Sequence, residues 1–356
     1  MGARTMKAVS GRSPRRPEGV VGLQDVARAA NVSIASVSRV INGTAKVSEV
    51  VRQRVERACS ELGYVPNGAA RALSSRRTRA VGAVVPAIEN SGFAITIGAL
   101  QSRLEQAGYT LLLANSGYDP EVELRMVTAL LTQGVDGLVL VGHRHDPRLM
   151  PMLKRMGVVF VETWTLASDR PCVGFDNEKA ARQITEYLVG LGHTSISTIA
   201  GRTQFNDRSA SRIASMEAFL NQRGLKLHSE RLVEHPYRIL DGRLAMRSLL
   251  SSKDRPTAVV CGNDQLAFGA LIEAASLGVD VPGEISITGF NDLDYAAHLD
   301  PPLTTLRVPV EQMGAMAGDY IVSSLQGEPV AAVAEIDVSL IVRGSTAPPP
   351  ARRSTT

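Results

Sequence analysis

Apolar positions recur every three or four residues between Leu23 and Leu62, and the pattern breaks twice. Leu23, Val26, Ala27 and Ala30 share one face of a short helix in "GLQDVARAA". "NVS" interrupts it, and Ser33 is placed to cap a second helix by accepting from the free amides of its first turn. In "NVSIASVSRVIN", Val37, Val40 and Ile41 form the apolar stripe, while Ser36, Ser38, Arg39 and Asn42 fall away from it. A third helix is predicted after Ser48, ending at Gly63, with Val51, Val55, Ala58, Cys59 and Leu62 on one face. Three short helices with a tight turn between the first two make an all-α helix-turn-helix head. Such a unit places its second helix in the major groove, where small side chains permit close approach. Serine hydroxyls and Asn42 suit phosphates or base edges, and Arg39 can fork onto a guanine.

From residue 80 the period changes. "AVGAVVPAI", "YTLLLANS", "VDGLVLVG" and "GVVFVETW" read as buried strands, with helices over "IGALQSRLEQAG" and roughly 120–133. The unit then repeats, with helices near 178–191, 209–223, 241–252 and 264–277. Strands "SISTIAG", "TAVVCGN" and "SITGF" and a short strand near 231–234 lie between them. Alternation of this kind implies parallel sheets with right-handed crossovers. Two runs of similar length imply an α/β body of two doubly wound lobes with a cleft at the strand carboxyl ends. Polar or aromatic residues at those ends include Phe93, Glu162, Trp164, Asp176, Asn177, Arg212, Asn263, Asp264, Asn291 and Asp292. Singly, each is more often a cap or turn residue than a ligand contact. As a converging set they suit a hydroxyl-rich small molecule, with Phe93, Phe175 or Tyr237 as a flat wall.

Between head and body lies "YVPNGAARALSSRRTRAVG", too short a helix to hold alone and charged enough to act as a linker. Leu73 is its large apolar residue, suited to wedging between base steps in a minor groove or to packing on the next domain.

The charge balance sharpens this division. Residues 1–80 carry 15 Lys and Arg against 5 Asp and Glu, while the remainder carries 24 against 30. A basic head on a mildly acidic body points to a polyanion as the head's partner. Cys59, Cys172 and Cys261 are too scattered for a disulfide framework or zinc site, which fits a reducing cytoplasm. No apolar run reaches the roughly 18 residues of a membrane span. The first 20 residues are basic without an apolar core and are expected to be a disordered tail rather than a signal peptide. GxSxG, HExxH and P-loop patterns are missing, and "GHRH" at 142–145 reads as a loop. No enzyme activity, cofactor or metal is expected.

The stretch from "LQDVARAANVSIASVSRVIN" through Val47-Ser48 and "LGYVPN" to "GAARAL" resembles the lactose/galactose repressor family. The resemblance extends over "LVGLGHTSISTIAG", "GNDQLAFGA" and "PGEISITGFNDLDYAAHLDPPLTTLRVPVEQMG". That body is similar to periplasmic sugar-binding proteins. "SGYDPEVE", "RHDPRLMPMLKRMGV" and "VGFDNEKAARQ" look similar to segments of gluconate-utilisation repressors.

The resemblance implies that Leu23, Ser33, Asn42 and Ser48 contact the DNA backbone, that Ile34, Ala35, Ser36 and Arg39 face bases, and that Asn67, Ala70, Arg71 and Leu73 form a hinge helix. It implies effector contacts at Phe93, Glu162, Phe175, Arg212, Tyr237, Asn263 and Asn291. The domains would be a head over 21–65, a hinge over 66–79 and a core over 80–345. The lobes would take about 80–175 plus 310–337 and about 176–309 plus 338–345, before a disordered tail at 346–356.

Two kinds of departure matter. Ile34 and Ala35 are apolar where better-known relatives carry polar or aromatic groups. Asn291 stands where many have Asp, and Ser215 where many have Gly. Losing a carboxylate leaves Arg212 freer to pair with an acid than with a neutral sugar. The expected protein is a repressor of carbohydrate metabolism whose affinity for a pseudo-palindromic operator in double-stranded DNA is set by a sugar or sugar-acid effector. A homodimer is expected, because one head reads a half-site and the tail lacks heptads for a tetramerising coil. The alternative is a sugar-binding protein without a transcriptional role.

Overall fold

The computed structural model describes residues 21–41, 47–65, 77–167, 169–227 and 229–351. It divides into two compact units, Met1–Thr78 and Arg79–Thr356. In the first, α1 (Leu23–Ala30), α2 (Ile34–Ile41) and α3 (Glu49–Leu62) enclose Val26, Ala27, Ala30, Val37, Val55 and Ala58. Burial of each valine side chain supplies roughly 1.5–3 kcal/mol, which such a small core needs. Asn31 ends α1 in the left-handed region at φ 50°. Ser33 Oγ then accepts from Ser36 N at 3.1 Å and starts α2, as the capping argument requires. Arg54 of α3 donates from Nη2 to Asn31 O at 3.3 Å, bracing the turn.

The second unit holds two six-stranded sheets. The first runs β11 (Val333–Glu335), β5 (Cys172–Gly174), β4 (Val159–Thr163), β3 (Gly137–Val141), β1 (Ala80–Val85), β2 (Thr110–Asn115), all parallel. The second runs β12 (Ser339–Ile341), β10 (Thr304–Arg307), β9 (Ser286–Asn291), β8 (Ala258–Cys261), β6 (Ile196–Gly201), β7 (Leu232–His235). Its pairs are parallel except β10 with β12. Helices α4 (Ser91–Gln106), α5 (Pro120–Thr132), α6 (Leu149–Met156) and α11 (Val310–Gln326) cover the first sheet. Helices α7 (Asn177–Gly190), α8 (Asp207–Asn221), α9 (Ile239–Ser251) and α10 (Asp264–Ser276) cover the second. The chain crosses between lobes after β5, after β10 and between β11 and β12.

Three features lay outside the reading of pattern. The helix α6 separates β3 from β4, α11 follows β10, and short β11 extends the first sheet. Glycine explains how α11 seats: a Cβ on Gly314 would collide with the Thr96 carbonyl of α4. The expected tail begins too early. Thr346 Oγ1 shares hydrogen bonds with Tyr187 Oη (2.8 Å) and Thr304 Oγ1 (2.9 Å), and Ala347 N donates to Ser286 Oγ (3.1 Å). The packed chain therefore runs past 345. Among the described residues no helix is long and apolar enough to cross a membrane.

Candidate functional site

On the head, α2 turns Val37 fully inward and leaves the opposite face open. Ile34 is 45% exposed, Ala35 and Arg39 are exposed, and Ser36 is half-buried beside them. Ser36 Oγ lies 2.9 Å from Ser33 Oγ, so these two hydroxyls hold one another as well as the helix end. Leu23 is half-buried against the core, and Ser48 precedes α3 without a side-chain bond to its amides. The expected contacts Asn42, Asn67, Ala70, Arg71 and Leu73 lie outside the described residues.

In the body, the strand carboxyl ends of both lobes face a cleft. Its outer part has a volume of about 420 Å³ and leads to an inner chamber of about 30 Å³. Of the expected effector contacts, Phe93, Arg212, Tyr237, Asn263 and Asn291 meet in the inner chamber. Asn263 caps α10, its Oδ1 accepting from Leu266 N at 2.8 Å, and Asn291 ends β9 at φ 117°. Phe93 sits edge-on to Trp164 at 4.9 Å. Tyr237 lies across Gly201, where any Cβ would run into its ring, and faces Tyr118 at 6.4 Å.

Arg212 is the chemical centre. Nε donates to Asn177 Oδ1 at 2.8 Å and Nη1 to Gly262 O at 3.2 Å, while the guanidinium stacks 3.6 Å above the Phe290 ring. Desolvation between the lobes lowers its pKa to about 10, with Arg208 adding repulsion. It stays a cation at neutral pH. Beside it, Arg208 pairs with Asp207 at 2.7 Å. The Trp164 indole N–H is buried without a partner among the described residues. The chamber therefore offers donors and positive charge, and it asks for an acceptor.

Two expected contacts stand elsewhere. Glu162 is fully buried in an ion network, accepting from Arg170 Nη1 at 2.6 Å and lying 3.1 Å from His145 Nε2. His145 Nδ1 in turn meets Glu123 Oε2 at 2.7 Å. A carboxylate so committed is part of the first lobe's interior, and its place in the cleft passes to Trp164. Phe175 is 1% exposed and backs the chamber wall between Trp164 and Phe290 rather than lining it. Sequence reasoning also missed Asn90, Tyr118, Asn206 and Arg208 as lining residues. Trp164, the one tryptophan of the chain and the last residue of the predicted strand "GVVFVETW", was already among the strand-end residues of the pattern.

A helix-turn-helix head with a two-lobed body, polar at its cleft, defines a class of regulators built on a periplasmic-binding-protein-like fold. The comparisons agree on both parts. Residues 22–67 match the model for bacterial regulatory proteins, lacI family. Residues 78–343 match that for periplasmic binding proteins and the sugar-binding domain of the LacI family. The HTH-type transcriptional regulator GntR of Escherichia coli (strain K12) is 33% identical over 86% of this chain and 93% of that protein. Catabolite control protein A of Priestia megaterium is 30% identical over 87% and 94%. Among solved structures, the lac repressor dimer bound to operator and an anti-inducer superposes with a TM-score of 0.81 at 27% identity. It covers 92% of this chain and 99% of its own. The chain belongs to the LacI family of DNA-binding transcriptional regulators.

Proposed function

We propose that this regulator controls carbohydrate genes from the cytoplasm as a homodimer on a pseudo-palindromic operator, with a sugar acid of the gluconate type as its effector. One observation carries the effector class: Arg212 is held by an amide, a backbone carbonyl and an aromatic face, and by no carboxylate among the described residues. A ligand carboxylate completes it with a charge-assisted hydrogen bond, and the Trp164 N–H and the surrounding amides suit hydroxyls. The gluconate-repressor-like motifs support the same class.

The mechanism is linkage. Phosphate contacts give the head salt-dependent affinity, and effector closing the cleft shifts how two heads sit on two half-sites. A coupling of roughly 1–3 kcal/mol changes operator affinity about 5–150-fold. The test is an anisotropy titration of operator DNA with and without gluconate-type acids, beside calorimetry with neutral hexoses. Acids bind and operator affinity moves if the reading holds. Tight binding of neutral hexose with acids ignored overturns the effector class, and an unmoved operator affinity with ligand bound overturns the linkage.

A further inference from the structure

We propose that Asn177 sets the charge class of the effector, holding Arg212 in place while withholding the negative charge that would satisfy it. The proposal rests on the anionic reading above.

Asn177 is the first residue of α7, where the chain has just crossed from the first lobe, and it is 6% exposed. Its amide has one possible orientation. Nδ2 donates to Trp164 O at 2.9 Å and to Phe175 O at 3.4 Å, and those carbonyls can only accept. Oδ1 is thereby turned to Arg212 Nε at 2.8 Å. An aspartate of the same size would set one oxygen against two carbonyls and give Arg212 a full counter-charge.

The rest of the chamber keeps to the same rule. Asn90, Asn206, Asn263 and Asn291 bring amides. The carboxylate of Asp207 is shared between Arg208 and His143. A guanidinium fixed by a neutral acceptor loses little freedom when an anion arrives and keeps its whole charge for it. A neutral ligand gains the same hydrogen bonds without the charge. Asn177 also joins Arg212 of the second lobe to the Trp164 carbonyl of the first, so a ligand gripping Arg212 pulls on the crossover itself.

The experiment is calorimetry on the full chain with a panel of aldonates and uronates, each paired with the neutral alditol or aldose of the same configuration. Wild type, Asn177→Asp and Asn177→Ser are compared, with thermal melts to confirm folding. Wild type prefers an acid to its neutral partner. Asn177→Asp lowers that preference by more than about tenfold, the scale of one hydrogen bond to a charged group. Asn177→Ser weakens acid binding yet keeps the preference, because the clamp is lost and no charge is added.

An acid preference unchanged in Asn177→Asp, or both affinities falling in parallel, overturns the role of Asn177 while leaving the anionic reading standing. Should Asn177→Asp fail to fold, Asn177→Ser decides alone: wild-type acid affinity there overturns the clamp. A wild type that prefers the neutral partner overturns the anionic reading, and the proposal with it.

Discussion

Asp207 Oδ2 accepts from the backbone N–H of His143 at 3.0 Å and lies 3.0 Å from its Nδ1, so a helix of the second lobe grips a loop of the first. The hydrogen bond to Asp207 raises the His143 pKa above its ordinary 6.5, against partial burial and with help from the Asp207 charge. A raised folded value means that the contact is fully charged below 6.5 and loses its ionic part as pH rises through the raised pKa. The imidazole is half exposed, so solvent weakens the pair, and the effect on closure is roughly two- to fivefold. Effector affinity measured by calorimetry is expected to be higher near pH 6 than near pH 8 by that factor. In His143→Ala the difference disappears. Equal pH dependence in wild type and variant would refute the latch.

The network of Glu123, His145, Glu162 and Arg170 predicts a stability effect without a binding effect. Burial opposes a charged His145, but the flanking Glu123 and Glu162 outweigh it and raise its pKa to about 9. The stabilisation is complete below 6.5 and is lost as pH rises through about 9. Its size is on the order of 2–3 kcal/mol. Denaturant unfolding at these two pH values measures it. Glu162→Ala leaves buried cations unpaired and costs about 3–5 kcal/mol. Effector affinity of the folded variant stays within about twofold of wild type. A selective loss of effector binding at full stability would return Glu162 to the ligand site.

Trp164 supplies a built-in reporter. It is the only tryptophan in the sequence, it lines the inner chamber, and its indole N–H is buried without a partner among the described residues. An effector that accepts this hydrogen bond changes the indole's surroundings, so saturable emission changes are expected on titration. Trp164→Phe keeps an aromatic edge for Phe93 and removes the donor. Affinity falls by roughly 3–12-fold, the range of one hydrogen bond. Unchanged affinity in Trp164→Phe would place the ligand elsewhere in the cleft.

The periodicity reaches as far as elements with a clear face or a full apolar run. The head's three helices and most of the alternating strands and helices are of this kind. The helix α6 escaped because it has only eight residues and lies between two strand-like runs. The long α11 escaped because Gly314, Ala317 and Gly318 interrupt its buried face between Val310, Met313 and Ile321, and the close seat on α4 leaves no room for a Cβ at Gly314 or Gly318. Asn263 and Asn291 stand where the pattern puts polar groups, at a helix start and a strand end, whereas Arg212 lies in the second turn of α8 rather than opening it. Glu162 misled by its own place near a strand end. Position along a strand says nothing about whether a carboxylate has already found its cations, and Arg170 and His145 come from two separate loops.

The apolar pair at the start of α2 yields a prediction about operator sequence. Ile34 and Ala35 are exposed while Val37, three positions further on, is fully buried, so the first turn of the helix presents methyl groups where donors would read bases. Methyl groups contact thymine methyls, and Arg39 one turn later can fork onto guanine. Competition binding over single-base operator variants is expected to show thymine preferred opposite the helix start and guanine opposite Arg39. Ile34→Gln moves the first preference to adenine and leaves the salt slope unchanged, because no phosphate contact is altered. Arg39→Ala costs about 1–3 kcal/mol at its own position alone. A uniform loss across all variants from Ile34→Gln would mean that the residue supports the helix rather than reads the base.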